Sequence, residues 1–130
     1  TYRQLFYRKR LMQQIMLKSK LHRARVTDVL IDYEGSIEID ENLMDEVGII
    51  PYEQVHVFNI NNGHRFITYA IPGKKGEQKI SINGAAAHLA TINDRIIIVA
   101  YGIMETNKEK FIPKVLVLDE NNNINMRKGI

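Results

Sequence analysis

The sequence predicts a mainly β protein: a small, closed structure of short strands with two small helices. Three observations carry this. Short runs rich in Val, Ile, Thr and aromatic residues recur along the chain. Turn residues punctuate them, most clearly Asn61-Asn62-Gly63 and Pro72-Gly73-Lys74-Lys75-Gly76. Only two short stretches break the strand pattern with a helical one. Short strands so punctuated suit a closed barrel better than an open parallel sheet. The 130 residues, 45% of them hydrophobic, fit one compact domain with a real core.

Taken in order, residues 1–11 read as a leader or extension without a catalytic role, and residues 12–119 as the domain. Residues 24–33 predict a strand, and 36–39 a second, alternating one. Asp40-Glu41-Asn42 is a capping signal, and Leu43, Met44 and Val47 make a one-sided helix that Gly48 ends. Residues 54–60 and 65–71 flank Asn61-Asn62-Gly63 as a hairpin. Residues 79–82 predict a further strand and 85–90 an Ala-rich turn or short helix. Residues 95–104 predict a long apolar strand, 105–113 a polar loop and 114–119 a last strand. Residues 120–130 read as a polar tail that frays. The count is about seven strands.

Composition narrows the function. There is no Cys, which removes disulfides, thiolate metal sites and a Cys nucleophile. His22, His56, His64 and His88 show neither HExxH nor i, i+4 spacing, so no metal site is expected. No apolar run approaches the roughly 20 residues of a membrane span, and no convincing signal peptide is present. A cytoplasmic protein is the expectation. The net charge is +3, but every acid lies beyond Arg25, where acids outnumber bases. A nucleic-acid partner would rest on the basic N-terminus alone and is not expected.

One dipeptide admits two readings. Gly35-Ser36 is an ordinary turn by residue type. It is also a bond that a Ser hydroxyl could attack, provided the backbone bends Oγ toward the preceding carbonyl, and Gly35 tolerates such bending.

Four segments in order weigh on that choice: LKSKLHRARVT (17–27), DYEGS (32–36), NNGHRFITYAI (61–71) and SINGAAAH (81–88). Together they resemble the aspartate 1-decarboxylase family over about residues 12–118. The resemblance implies a six-stranded double-psi β-barrel. It also implies self-cleavage into a β chain, 1–35, and an α chain, 36–130, with Ser36 becoming a covalent pyruvoyl group that takes the amine of L-aspartate as a Schiff base. Neither metal nor pyridoxal phosphate is then needed. β-Alanine is the product, for pantothenate and coenzyme A synthesis. Thr68 and Asn83 are implied to assist cleavage of the Gly35–Ser36 bond, and Tyr69 to protonate the carbanion. Lys20, His22, Tyr33, Phe58 and Arg65 are implied to line the substrate pocket with Thr68, Asn83, Gly84, Ala85 and Ala86. Phe58 stands where better-known relatives carry Trp, which keeps the aromatic wall and loses the indole N–H. The family also implies a homotetramer with sites between subunits and, in some relatives, a maturation factor.

One parity problem remains. In a regular strand Arg65 and Tyr69 share a face while Thr68 lies on the other. Either the strand bulges there, or the site gathers residues from two subunits; the second is the expectation. Two alternatives belong to other classes: a DNA-binding β-barrel using the basic N-terminus, and an amidohydrolase using a freed Ser36 as nucleophile.

Overall fold

The computed structural model describes residues 12–105 and 110–130. The expected leader, 1–11, lies outside the described residues, as does part of the loop expected at 105–113. The described elements are β1 (Gln13–Arg25), β2 (Asp28–Leu30), β3 (Ser36–Asp40), α1 (Glu41–Val47), β4 (Gln54–Asn59), β5 (Arg65–Gly73), β6 (Ile80–Asn83), a 3-10 helix (Gly84–Leu89), β7 (Arg95–Glu105), β8 (Lys114–Leu118) and β9 (Ile124–Lys128).

The nine strands form one hydrogen-bonded order, β2-β6-β3-β5-β4-β7-β1-β8-β9. Three neighbours run parallel: β2 with β6, β3 with β5, and β1 with β8. The mainly β expectation is met, with nine strands in place of about seven. The expected strand at 24–33 divides, because Val26 and Thr27 leave the ladder between β1 and β2. In that two-residue link the Val26 amide donates to the Asp94 carbonyl (2.9 Å) and the Thr27 amide to the Ile80 carbonyl (2.8 Å). Two adjacent residues thus tie the start of β7 to the start of β6, strands well apart in the order. The sheet must curl to allow this, consistent with a β-barrel.

The curl encloses the core. Ile37 and Ile39 of β3, Ile80 and Ile82 of β6, Val55 and Val57 of β4, Ile96 and Ile98 of β7, and Leu21 and Leu116 are sealed from solvent. Each such side chain contributes roughly 1.5–3 kcal/mol by leaving water. Leu43, Met44 and Val47 of α1 lay their apolar stripe on this core. The helix starts where the sequence predicts: Asp40 caps it by accepting from the Asn42 amide (2.9 Å), and Gly48 ends it in the left-handed region at φ 79°. The buried Asp40 carboxylate also accepts from the Gly76 (3.1 Å) and Gln78 (2.7 Å) amides, fastening the 73–78 turn to the end of β3.

The C-terminal stretch differs from expectation. Residues 124–128 form β9 on β8 instead of fraying. The reason is Asn122, buried at φ 61°, a conformation Asn tolerates. Its Oδ1 accepts from the Arg25 amide (2.6 Å), and its Nδ2 donates to the Arg25 and Gln78 carbonyls (2.9 and 3.0 Å). Replacing Asn122 with Ala strands three partly buried main-chain groups. The expected loss is about 2–3 kcal/mol, seen as a fall in Tm of roughly 10 °C in thermal melts.

Candidate active site

Ser36 opens β3, the strand that lies between β6 and β5. On the β6 side it pairs directly with Asn83. On the β5 side the parallel register pairs Ile37 with Ala70, so Ser36 and Tyr69 each stand one residue upstream of that pair. Only 1% of Ser36 is exposed, as is 1% of Asn83. A buried hydroxyl needs partners, and Ser36 has two. Asn83 Nδ2 donates to Ser36 Oγ (3.1 Å), and Ser36 Oγ donates to the Glu34 carbonyl (3.3 Å).

The amide of Asn83 is itself held. Ser81 Oγ, fully buried, donates to Asn83 Oδ1 at 2.8 Å. The sequence reading did not single out Ser81. Its signal was the i, i+2 spacing to Asn83, which puts both on one face of a strand.

The glycine requirement at this bond differs from expectation. Gly35 does not have a positive φ, and a Cβ added there meets nothing within 4 Å. Gly84 is the constrained residue. It sits at φ 75°, and a Cβ on it would lie 2.7 Å from Gly35 Cα, 2.8 Å from Gly35 N and 2.9 Å from the Tyr33 carbonyl. The start of the 3-10 helix is therefore pressed against the Gly35 main chain. Tyr33 itself is 57% exposed, Ala85 is exposed and Ala86 half-buried.

The remaining expected pocket residues gather elsewhere on the sheet. The pairing of β4 with β5 runs without a register shift from Gln54–Tyr69 to Phe58–Arg65. The strand therefore does not bulge there. Arg65 and Tyr69 share the outer face, and Thr68 turns inward with Ala70. Arg65 stands over the ring of its cross-strand partner Phe58, 4.2 Å from the centroid, in a cation–π contact. The Tyr69 ring lies 6.2 Å from that of Tyr52.

Lys20 and His22 reach the outer face because β1 bulges. Before the bulge Leu17 pairs with the exposed Tyr101; after it Ser19 pairs with the buried Ala100. Lys18 is the extra residue, and it reverses the alternation. Without it Leu21 would point outward and Lys20 inward. Two contacts pin the bulge to the end of α1: Ser19 Oγ donates to the Val47 carbonyl (2.6 Å), and Lys18 Nζ to the Gly48 carbonyl (2.6 Å). Lys18 also pairs with Glu53 at 2.8 Å. Beyond the bulge, Ile67, His56, Val99, Lys20 and Val115 line up in one row across five strands. His22 lies one row further, beside Val117.

His22 Nδ1 is buried without a hydrogen-bond partner among the described residues. Burial holds the imidazole below its ordinary pKa, and the nearby charges of Lys20, Arg23, Lys128 and Arg95 press in the same direction. At neutral pH the ring is neutral, so the positive charge here comes from Lys20 and the neighbouring cations and not from His22.

The two groups of residues are separated. From β3 to β1 is four strand spacings, about 19 Å along the sheet. From Tyr69 to Arg65 along β5 is roughly 13 Å. Among the described residues no group of three or more His, Asp or Glu side chains is placed to hold a metal ion, and no helix is long and apolar enough to cross a membrane.

Fold and site together define a small, mainly β protein organised around a buried Ser36 at the head of β3. The sequence profile of the aspartate decarboxylase family matches residues 12–125. A protein of Halorhodospira halophila named aspartate 1-decarboxylase is 53% identical over 119 residues, covering 91% of this chain and 94% of its own. Proteins of the same name from Thermoanaerobacter pseudethanolicus and Thermosipho africanus are 55% and 54% identical, covering 85% and 87% of this chain and 96% and 93% of their own. The chain belongs to the aspartate decarboxylase family.

Two outcomes follow from this geometry. Gly84→Ala adds a methyl group into the Gly35 main chain at a left-handed φ and is expected to cost about 2 kcal/mol or more in urea unfolding, whereas Gly35→Ala leaves the transition unchanged within about 1 kcal/mol. For His22 the folded pKa lies below the ordinary 6.5, so the unfolded chain binds the extra proton first. The stability advantage of the wild type over His22→Gln is therefore expected to be full above that pH and to shrink as pH falls through it. Paired melts across this range measure it.

Proposed function

We propose that this chain is a self-processing, pyruvoyl-dependent decarboxylase converting L-aspartate to β-alanine and carbon dioxide, in support of pantothenate and coenzyme A synthesis. The observation that carries the reading is the sealed Ser36 hydroxyl, held by Asn83, beside a Gly35 main chain pressed by Gly84. That arrangement accompanies more than 50% identity to proteins named aspartate 1-decarboxylase.

The maturation steps use the chain's own atoms. Ser36 Oγ attacks the Gly35 carbonyl carbon, the Gly35–Ser36 C–N bond breaks, and the hydroxyl proton passes to the released amine. Loss of the Ser36 α-proton then expels the Gly35 carboxylate and leaves dehydroalanine. Water replaces its nitrogen, which departs as ammonia, and a pyruvoyl group heads the 36–130 fragment. Asn83 is the donor closest to the attacking oxygen and supports charge that develops there. The reading leaves Thr68 beside the bond on the inner face.

Once formed, the pyruvoyl group supplies the electron sink into which decarboxylation drains. Other tasks fall to side chains. Lys20 and Arg65 hold the carboxylate that is kept, Arg65 with its planar fork. Phe58 braces Arg65 and walls the pocket. His22 stays neutral beside them. Tyr69, next to Ser36 on β5, returns the proton through its phenolic hydroxyl. Tyr33 and the Asn83-Gly84-Ala85-Ala86 segment border the reacting centre.

The path along the sheet from Ser36 to Lys20 is longer than one small amino acid. A second copy would close it, bringing its β1, β4 and β5 face against the first copy's β3. The separation supports a site shared between copies; the proposed setting is a homotetramer of double-psi barrels acting in the cytoplasm, with maturation either unaided or assisted by a partner protein.

Intact mass under denaturing conditions tests the proposal. The expected result is two fragments, 1–35 and 36–130, whose masses sum to the precursor plus one water minus one ammonia. Ser36→Ala is expected to stay whole and to form no β-alanine from aspartate. Aspartate turnover by an uncut chain would overturn the reading, and a free serine amine on the larger fragment would point to a nucleophilic hydrolase.

A further inference from the structure

We propose that Ser81 is a positioning residue for maturation: its hydroxyl sets which end of the Asn83 amide faces Ser36. The inference rests on the self-processing reading above. An Asn amide presents a donor at one end and an acceptor at the other, and half a turn exchanges them. The two orientations act oppositely on Ser36. With Nδ2 toward Ser36, the hydroxyl receives a hydrogen bond on its lone pair and directs its own proton elsewhere. With Oδ1 toward Ser36, the amide would take that proton and draw the O–H toward β6, away from the main chain it must attack.

The structure holds the first orientation through a three-member chain. Ser81 Oγ donates to Asn83 Oδ1 at 2.8 Å, Asn83 Nδ2 donates to Ser36 Oγ at 3.1 Å, and Ser36 Oγ donates to the Glu34 carbonyl at 3.3 Å. Every donor in this chain is consistent with the next acceptor. The chain is also sealed, Ser81, Asn83 and Ser36 each being at most 1% exposed. Water therefore competes poorly for the amide. Turned over, the amide could still donate to Ser81 Oγ, but the buried Ser81 proton would lose its acceptor and Ser36 its bond to Glu34, and this sets which end faces Ser36. The main chain adds rigidity: Ser81 pairs with Glu38 and Asn83 with Ser36 in the same β3–β6 ladder.

The test compares Ser81→Ala, Ser81→Thr and Ser81→Val as freshly purified full-length chains, with fold checked by far-UV circular dichroism. The first-order rate of cleavage is followed by intact mass. Hydroxylamine added to parallel samples traps the ester as a hydroxamate on Gly35. Thr and Val have the same shape and differ in the hydroxyl, so strain from extra bulk affects both alike. The expected result is a Thr variant close to the wild-type rate, with Ala and Val about tenfold slower, as fits loss of one neutral hydrogen bond. Hydroxamate should form more slowly in Ala and Val, because the deficit lies in the attack itself. If Ala cleaves at the wild-type rate, or Thr and Val are equally slow, Ser81 only fills space and the proposal is overturned. Failure of the wild type to cleave would instead remove the self-processing reading beneath it.

Discussion

The pairing of Ser36 with Asn83 at the head of β3 is the constraint on which the rest of the site depends. It is a ladder position and a side-chain hydrogen bond at once. The strand is secured at its other end by the Asp40 carboxylate, which caps α1 and gathers the Gly76 and Gln78 amides. Between these ends Ile37 and Ile39 sink into the core. A buried strand fastened so leaves its first residue little freedom, and the polar groups that meet it must be satisfied where they stand.

The second organising device is a single extra residue. Lys18 reverses the inside–outside alternation of β1, and the carbonyls of Val47 and Gly48 at the end of α1 receive the Ser19 and Lys18 side chains that hold it. The result is economical in a physical sense. The bulge at Lys18 keeps Leu21 in the core, to which a second register shift between Leu21 and Ala24 returns Ala24, while turning Lys20 and His22 to the outer face. It also places a cation beside an imidazole whose burial already disfavours protonation.

These features give the two halves of the site different physical characters. Around Ser36 the groups are buried, neutral and joined by directional hydrogen bonds, which suits control of a main-chain reaction. Around Lys20, His22, Phe58 and Arg65 they lie on an outer face, with charge and aromatic surface facing away from the core. A curled sheet of this size cannot bring its own β1 and β3 outer faces together, and the proposed sharing of the site between copies rests on that separation.

What the sequence by itself determined was local and periodic. Alternating apolar residues marked β3, Asn61-Asn62-Gly63 marked the β4–β5 turn, and Asp40 with Gly48 bounded α1, because each signal is chemistry between near neighbours. Four ordered segments also identified the family and named the Gly35–Ser36 bond. Only the tertiary structure decided the rest. It moved the glycine requirement from Gly35 to Gly84, since the crowding comes from a segment nearly fifty residues away in the chain. It brought Ser81 into the site, turned Thr68 inward, and made β9 from a polar stretch anchored by Asn122. Composition cannot foresee these outcomes, because each depends on which main-chain groups a curled sheet leaves in want of a partner.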